Sequence, residues 1–206
     1  ALADSPVVST QWLADHLGAD DLVIIDASVL PRDDGQPGYR SGRDAWLAGH
    51  LPGAQHADLI ATFSQTGAPH PFTHLTADDF ARAIGSLGVG NDTSVVVYDR
   101  LLGQWAARLW WLLRAAGHDR VAVLDGGQTA WTAQERGLES GEVTLPPAEF
   151  TARERPELWV TKEEVEAIVN GEAPGALVCG LPPKEFSGEE GARPRWGHIR
   201  AGIHPL

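Results

Sequence analysis

Residues 95–113 read VVVYDRLLGQWAARLWWLL, an apolar run that ends at a polar turn and continues into a tryptophan-rich stretch. The β-branched run at 95–98 predicts a buried strand, and the residues that follow predict a helix over roughly 104–116. Asp99 stands at the turn between the two elements. Because α/β enzymes often hold a reactive group where a strand leads into a helix, the role of Asp99 is the first question that the sequence raises.

Strand and helix signals alternate around this stretch. A buried strand is predicted at LVIID (22–26), and a second one at VAVLDGG (121–127) leads into a helix. Residues 76–88 read TADDFARAIGSLG, in which Thr76 suits a helix N-cap and Gly88 a helix stop. The alternation predicts an α/β fold with a central parallel sheet flanked by helices.

The chain then restarts. Residues 137–158 have turn residues, mixed charge and no clear period, which is typical of an interdomain linker. Three later segments echo earlier ones in the same order: WVTKEEVEAIV (159–169) echoes VVSTQWLADHL (7–17), ALVCGLP (176–182) echoes LVIIDAS (22–28), and GHIRAG (197–202) echoes GHLPGA (49–54). We therefore expect a first domain at 1–136, a linker at 137–158 and the N-terminal part of a second copy at 159–206.

Composition excludes several classes of function. A net charge of -12 argues against a general nucleic-acid binder, and it suits a cytoplasmic protein. No apolar run approaches the length of about 18 residues that would indicate a membrane-spanning helix. A single cysteine rules out an internal disulfide and a CxxC metal site, and the phosphate-binding glycine motifs are absent. No metal and no cofactor are expected.

In order and spacing, these segments resemble the tandem-domain rhodanese family, the thiosulfate and mercaptopyruvate sulfurtransferases. The matching pieces cover nearly the whole chain: VSTQWLA (8–14), IIDAS (24–28), GHLPGA (49–54), LGVGNDTSVVVYD (87–99), ARLWWLLRAAGH (107–118), VLDGGQTAW (123–131), KEFSGEE (184–190) and GHIR (197–200). The resemblance implies two similar α/β domains, the second of which carries the chemistry.

By this resemblance, a cysteine at the end of the fourth strand of the second domain takes sulfane sulfur from thiosulfate or mercaptopyruvate. The persulfide then passes the sulfur to a thiophilic acceptor, cyanide or a thiol, and the surrounding loop amides favour the thiolate. Asp99 occupies the corresponding place in the first copy, and a carboxylate cannot carry sulfane sulfur. The first domain is therefore expected to be catalytically silent, with the nucleophile in a C-terminal catalytic half that is missing after residue 206.

Five further residues are candidates for a functional role. Cys179 is the only thiol, but the repeat aligns it with Asp26 rather than with Asp99, so a relocated nucleophile is the less favoured interpretation. Arg193 and Arg195 are candidates for binding an anionic donor, with solvated surface charge as the alternative. Arg100 and Trp105 flank Asp99 in a loop that could face the partner domain.

Two functions stay open. One is a sulfurtransferase whose catalytic cysteine lies outside this chain, so that activity of the chain alone is uncertain. The other is a catalytically silent rhodanese-fold module for binding or scaffolding. In either case residues 176–206 could pair with the absent C-terminal fragment or with another chain, because an incomplete sheet exposes its edges. A phosphatase on the same fold would need an arginine soon after Cys179, and GLPPKEFSG (180–188) has none.

Overall fold

The structure, a computed structural model, describes residues 5–191, 195–200 and 202–205. The chain separates into two units between Pro156 and Glu157. Arg193, one of the two arginines expected to bind a donor, lies outside the described residues.

The first unit is built on a five-stranded parallel sheet in the order β1-β7-β6-β2-β5. Its strands are β1 (Val7–Val8), β2 (Leu22–Asp26), β5 (Gln55–His56), β6 (Ser94–Tyr98) and β7 (Val121–Leu124). The central strands β2 and β6 are almost continuously apolar and buried, as expected for parallel strands that are covered on both faces. The prediction of an α/β fold with a central parallel sheet is confirmed.

Five helices and a small hairpin complete the first unit within its described residues, 5–156. The helices are α1 (Thr10–Asp15), α2 (Arg43–Ala48), α3 (Ala77–Ser86), α4 (Gln104–Ala115) and α5 (Gly127–Ala133), and the hairpin pairs β3 (Val29–Pro31) with β4 (Tyr39–Ser41). Ser9 and Thr76 cap α1 and α3, because their hydroxyls accept the amides of Trp12 and Asp79. The core contains the fully buried side chains of Trp46, Trp131, Tyr98, Phe63, Leu109 and Leu113.

The segment expected to be a linker, 137–158, lies for most of its length against the first unit. The amide of Ala148 donates to the carbonyl of Gly85 (2.9 Å), and the amide of Arg153 donates to that of Ala116 (2.8 Å). Phe150 is buried between Phe80 and His118. A Cβ at position 85 would lie 2.5 Å from the carbonyl oxygen of Ala148, so only glycine permits this approach.

The second unit is small. It contains α6 (Lys162–Val169), β8 (Leu177–Val178), α7 (Pro183–Ser187) and β9 (Gly202–Ile203), and β8 and β9 pair in parallel. A short 3-10 turn (Pro156–Leu158) crosses the boundary between the two units. No described residue from 157 onwards is buried, and the side chains of Val178 and Ile203 are more than half exposed. Within the described residues of the whole chain, no helix is long and apolar enough to cross a membrane.

Candidate functional site

The first candidate site lies where β6 leads into α4. The Asp99 side chain is 2 % exposed and accepts four backbone amides. Its Oδ1 atom accepts the amides of Leu101 (2.8 Å) and Gly103 (3.0 Å), and its Oδ2 atom accepts those of Trp105 and Ala106 (3.0 Å each). The carboxylate thus fills a cradle of amides formed by the loop and the first turn of the helix.

This cradle forms because the first turn of a helix leaves amides without intrahelical partners. Gly103, the N-cap of α4, has φ 83° and no side chain to cap them. The carboxylate of Asp99, four residues earlier in the chain, caps them instead, and its charge also suits the positive end of the helix. In chemical terms, the loop is an anion-binding site that holds an anion of its own chain.

Gly127, the first residue of α5, packs against the backbone of Asp99. The amide of Gln128 donates to the carbonyl oxygen of Asp99 (3.1 Å), and a Cβ on Gly127 would lie 2.4 Å from the same oxygen. The absence of a side chain at Gly127 therefore allows a close approach of two backbones.

A buried polar network lies beside the cradle. Asp26, which is fully buried, accepts the amide of Ser28 (2.8 Å), and a guanidinium nitrogen of Arg100 lies 3.4 Å from its Oδ2 atom. Burial, together with the charge of Asp26, raises the pKa of Tyr98 far above its ordinary value of 10. The phenol thus stays protonated and donates to Asp26, while its oxygen accepts the amide of Leu51 (3.1 Å).

His56 lies among these charged groups, with Asp26, Asp58, Arg43 and Arg100 around it. Burial lowers the pKa of His56 below its ordinary value. The negative charges of Asp26 and Asp58 oppose this shift only in part. Burial alone would raise the pKa of the Asp58 carboxyl, but hydrogen bonds from the amides of Ala61 and Ile60 and from the hydroxyl of Ser41 leave that pKa lowered.

Arg100 and Trp105, the two residues expected to face a partner domain, both have contacts within the first unit. Arg100 donates to the carbonyl of Gly49 as well as pairing with Asp26. The Trp105 ring lies 5.1 Å from that of Tyr39 and 5.0 Å from that of Phe72, measured between centroids. A role for the pair between domains stays a prediction.

In the second unit, the sequence echoes extend to side-chain geometry. His50 bonds the carbonyl of Trp46 through Nδ1 (2.8 Å), and its ring stacks on that of Trp46. His198 bonds the carbonyl of Phe186 through Nδ1 (2.8 Å), and its ring stacks on the Phe186 ring in the same way. Each of the two turns that begin with Gly-His is thus held to the preceding helix by one aromatic–histidine contact.

Cys179 follows β8 and is partly buried. Its amide donates to the carbonyl of Ile203 (2.8 Å), and its sulfur has no hydrogen-bond partner within the described residues. No cradle like that of Asp99 surrounds this thiol in the described part of the chain. Arg195 lines a separate cavity of about 420 Å³ in the same unit.

The comparisons with known proteins agree with this architecture. The family profile of the rhodanese-like domain matches residues 9–134. The 3-mercaptopyruvate sulfurtransferase of Escherichia coli K12 is 34% identical over 202 residues, which are 96% of this chain and 69% of that protein. The chain belongs to the rhodanese family.

One further relative and one solved structure extend the comparison. The thiosulfate sulfurtransferase of Bos taurus is 32% identical over 212 residues, covering 96% of this chain and 68% of the relative. The crystal structure of SseA from Escherichia coli, described as a 3-mercaptopyruvate sulfotransferase with the rhodanese fold, has a TM-score of 0.84 at 32% identity. That match covers 97% of this chain and 74% of the SseA chain.

For the rhodanese site, the sequence located Asp99 but not the network behind it. Asp26 and Tyr98 are the last residues of two apolar runs. A signal was present nonetheless: neighbouring parallel strands in register place their last residues side by side, and Asp26 pairs with Tyr98 in the ladder. His56 gave no signal, because it lies at the end of a strand of only two residues.

Proposed function

We propose that this chain acts in sulfane-sulfur transfer, and that its first rhodanese domain is a non-catalytic partner in that reaction. The sulfur would come from mercaptopyruvate or thiosulfate, pass through a cysteine persulfide and leave to cyanide or a thiol. The names of the relatives support this reaction, since the matching proteins are mercaptopyruvate and thiosulfate sulfurtransferases.

One observation carries the assignment of the first domain: the Asp99 carboxylate already occupies the four amides of the cradle, two from the loop and two from the first turn of α4. A persulfide carrier needs a thiolate there, because only a thiolate attacks sulfane sulfur and returns it. A carboxylate in the same cradle does neither, and it also blocks the cradle against an anionic donor.

We place the persulfide in the second copy, of which residues 159–206 would be the first part. The repeated aromatic–histidine contact and the parallel pairing of β8 with β9 support a second copy. The counterpart of Asp99 in that copy would come well after His204, beyond the residues of this chain. Arg195, with Arg193, is our candidate for binding the carboxylate or sulfonate end of the donor. A cytoplasmic location is part of the proposal and rests on the acidic composition.

Thiocyanate formation from cyanide tests the proposal. The complete translation product of the gene and the chain 1–206 are assayed side by side, each with thiosulfate and with 3-mercaptopyruvate. We expect turnover by the complete product, with the mass of one added sulfur atom on a cysteine other than Cys179. Residues 1–206 alone should give no more thiocyanate than the blank. Turnover by 1–206 that Cys179→Ser abolishes would show instead that Cys179 is the nucleophile.

A second function has one specific observation in its favour: no thiol lies in an amide cradle within the described residues. In that alternative, the first domain is a catalytically silent binding or scaffolding module. The same assay separates the two functions, because a module would show no turnover and no persulfide even as the complete translation product.

A further inference from the structure

One segment without regular secondary structure, the strap (145–155), is seated closely against the first unit. Its amides donate to groups elsewhere in that unit at 2.8–2.9 Å, from Ala148, Thr151, Arg153 and Arg155. The surface beneath it lacks side chains at three points, where a Cβ would lie 2.5–2.9 Å from strap atoms: Gly85, Gly88 and Gly117. The strap therefore occupies a groove that fits its backbone.

A single aromatic side chain anchors the middle of the strap. Phe150 is 9 % exposed, and its ring centroid lies 6.1 Å from that of Phe80 and 5.6 Å from that of His118. The hydrogen bonds from Ala148 and Thr151 hold the backbone on either side of this anchor. His118 thus forms one wall of the pocket that holds the strap in place.

His118 is buried with one ring nitrogen unpaired. The residue is 2 % exposed, and its Nε2 atom has no hydrogen-bond partner within the described residues. A proton on Nε2 would create a charged N–H group without an acceptor, which costs far more than one neutral nitrogen without a donor. The docked strap therefore requires a neutral ring.

The charged groups around the ring do not compensate such a proton. Asp119 attracts it and Arg120 repels it, and both belong to the turn of His118 itself. Asp119 is already paired with Arg155 of the strap (2.6 Å) and with Arg114 of α4 (3.1 Å), while Arg120 is paired with Asp21 (2.9 Å). From the strap and from α3, the pocket receives aromatic rings.

We infer that protonation of His118 releases the strap while the sheet of the first unit stays folded. Displacement of Phe150 exposes the ring, which then takes up a proton and opposes the return of the anchor. The strap ends beside the boundary between the two units, at Pro156 and Glu157, so its release turns an anchored connection into a free tether. The inference is independent of the proposed sulfur transfer.

The direction of the pH effect follows from burial. Burial lowers the pKa of His118 in the docked state below its ordinary value of 6.5, and hydrogen bonds with the backbone oppose this shift only in part. Docking is therefore most favourable above pH 6.5 and weakens as the pH falls below it. The Asp119–Arg155 pair does not share this dependence, because the hydrogen bond from Arg155 lowers the pKa of the Asp119 carboxyl below 3.8.

Amide hydrogen exchange of the full chain, followed by mass spectrometry at pH 7.5 and at pH 5.5, tests the inference. The amides of Ala148, Thr151, Arg153 and Arg155 report on docking, because their hydrogen bonds break when the strap leaves. After correction for the intrinsic exchange rate at each pH, we expect their opening constant to rise about threefold to tenfold at pH 5.5. Tenfold is about the limit for one proton over this range. At both pH values the strap should open at least about tenfold more readily than β6, as expected for a local opening.

Two substitutions separate the charge of the ring from the attachment of the strap. His118→Gln removes the titrating group, so the opening constant of the strap should be the same at both pH values. Asp119→Asn weakens the attachment through Arg155 and should raise the opening constant by a similar factor at both. Circular dichroism at pH 7.5 checks that each variant is folded.

Three results overturn the inference. The first is a strap that is as well protected at pH 5.5 as at pH 7.5 in the unmodified chain, which needs no variant. The second is a rise in His118→Gln equal to that in the unmodified chain. The third is a strap that opens no more readily than β6, which would mean that it leaves only when the whole unit unfolds. No turnover is measured, so these outcomes are distinct from failure of the proposed function, which thiocyanate formation tests.

Discussion

Cys179 holds in the second unit the ladder position that Asp26 holds in the first. Ile25 pairs with Gln55 in one sheet and Val178 with Ile203 in the other. Gln55 stands five residues after His50, and Ile203 stands five residues after His198. The residues that follow Ile25 and Val178, which are Asp26 and Cys179, therefore correspond. The only thiol thus stands where the first unit has a structural carboxylate rather than at the position of Asp99.

The carboxylate of Asp99 should be a major source of stability in the first unit. Asp99→Asn keeps the shape but turns an amide NH₂ toward two backbone donors, so we expect the free energy of unfolding to fall by about 2–4 kcal/mol. Urea unfolding followed by circular dichroism measures the change. Asp125→Asn is the control, since Asp125 is an exposed aspartate after the neighbouring strand. Equal stability of the two variants would mean that the cradle does not depend on the charge.

Gly127→Ala should destabilise the same site from the opposite side. The new Cβ would meet the carbonyl oxygen of Asp99 at 2.4 Å, and the backbone at Gly127 has φ 55°, which alanine rarely adopts. Gly53→Ala is the matched control, because φ there is 70° but the new Cβ would have no neighbouring atom within 4 Å. We expect a loss of about 1 kcal/mol for Gly53→Ala and at least about 2 kcal/mol for Gly127→Ala. Equal losses would show that only backbone strain matters.

The features that could be predicted from the sequence are those that depend on short-range patterns of residues. The apolar run at 95–98 identified the central strand, and Asp99 stood out because it interrupts an apolar stretch. The contact of Asp26 with Arg100 was not predictable, since the two residues are 74 apart in the sequence and meet only in the folded chain. The packing of 137–156 was hidden for a similar reason: it depends on backbone contacts such as that of Ala148 with Gly85, which leave no periodic pattern.

Tyr98→Phe tests whether the buried network is coupled. The substitution removes the hydroxyl that accepts the amide of Leu51 and donates to Asp26, so a buried donor and a buried carboxylate each lose a partner. We expect the free energy of unfolding to fall by about 1–3 kcal/mol. In a double-mutant cycle with Asp26→Asn, the two losses should not add, because the phenol and the carboxylate bond each other. Simple additivity would contradict that contact.

Stability should fall with acid below pH 6.5. Burial lowers the pKa of His118 in the folded chain below its ordinary value of 6.5, and the pKa of His56 is lowered for the same reason. The unfolded chain then binds more protons than the folded chain as the pH falls through 6.5, so the stabilisation that is complete above that pH is progressively lost below it. His118→Gln removes one titrating group and should flatten the dependence. His70→Gln, at an exposed position, is the matched histidine substitution with which it is compared. Urea unfolding at a series of pH values measures the slopes, and a slope in His118→Gln equal to that of the unmodified chain would exclude His118 as a source of the acid sensitivity.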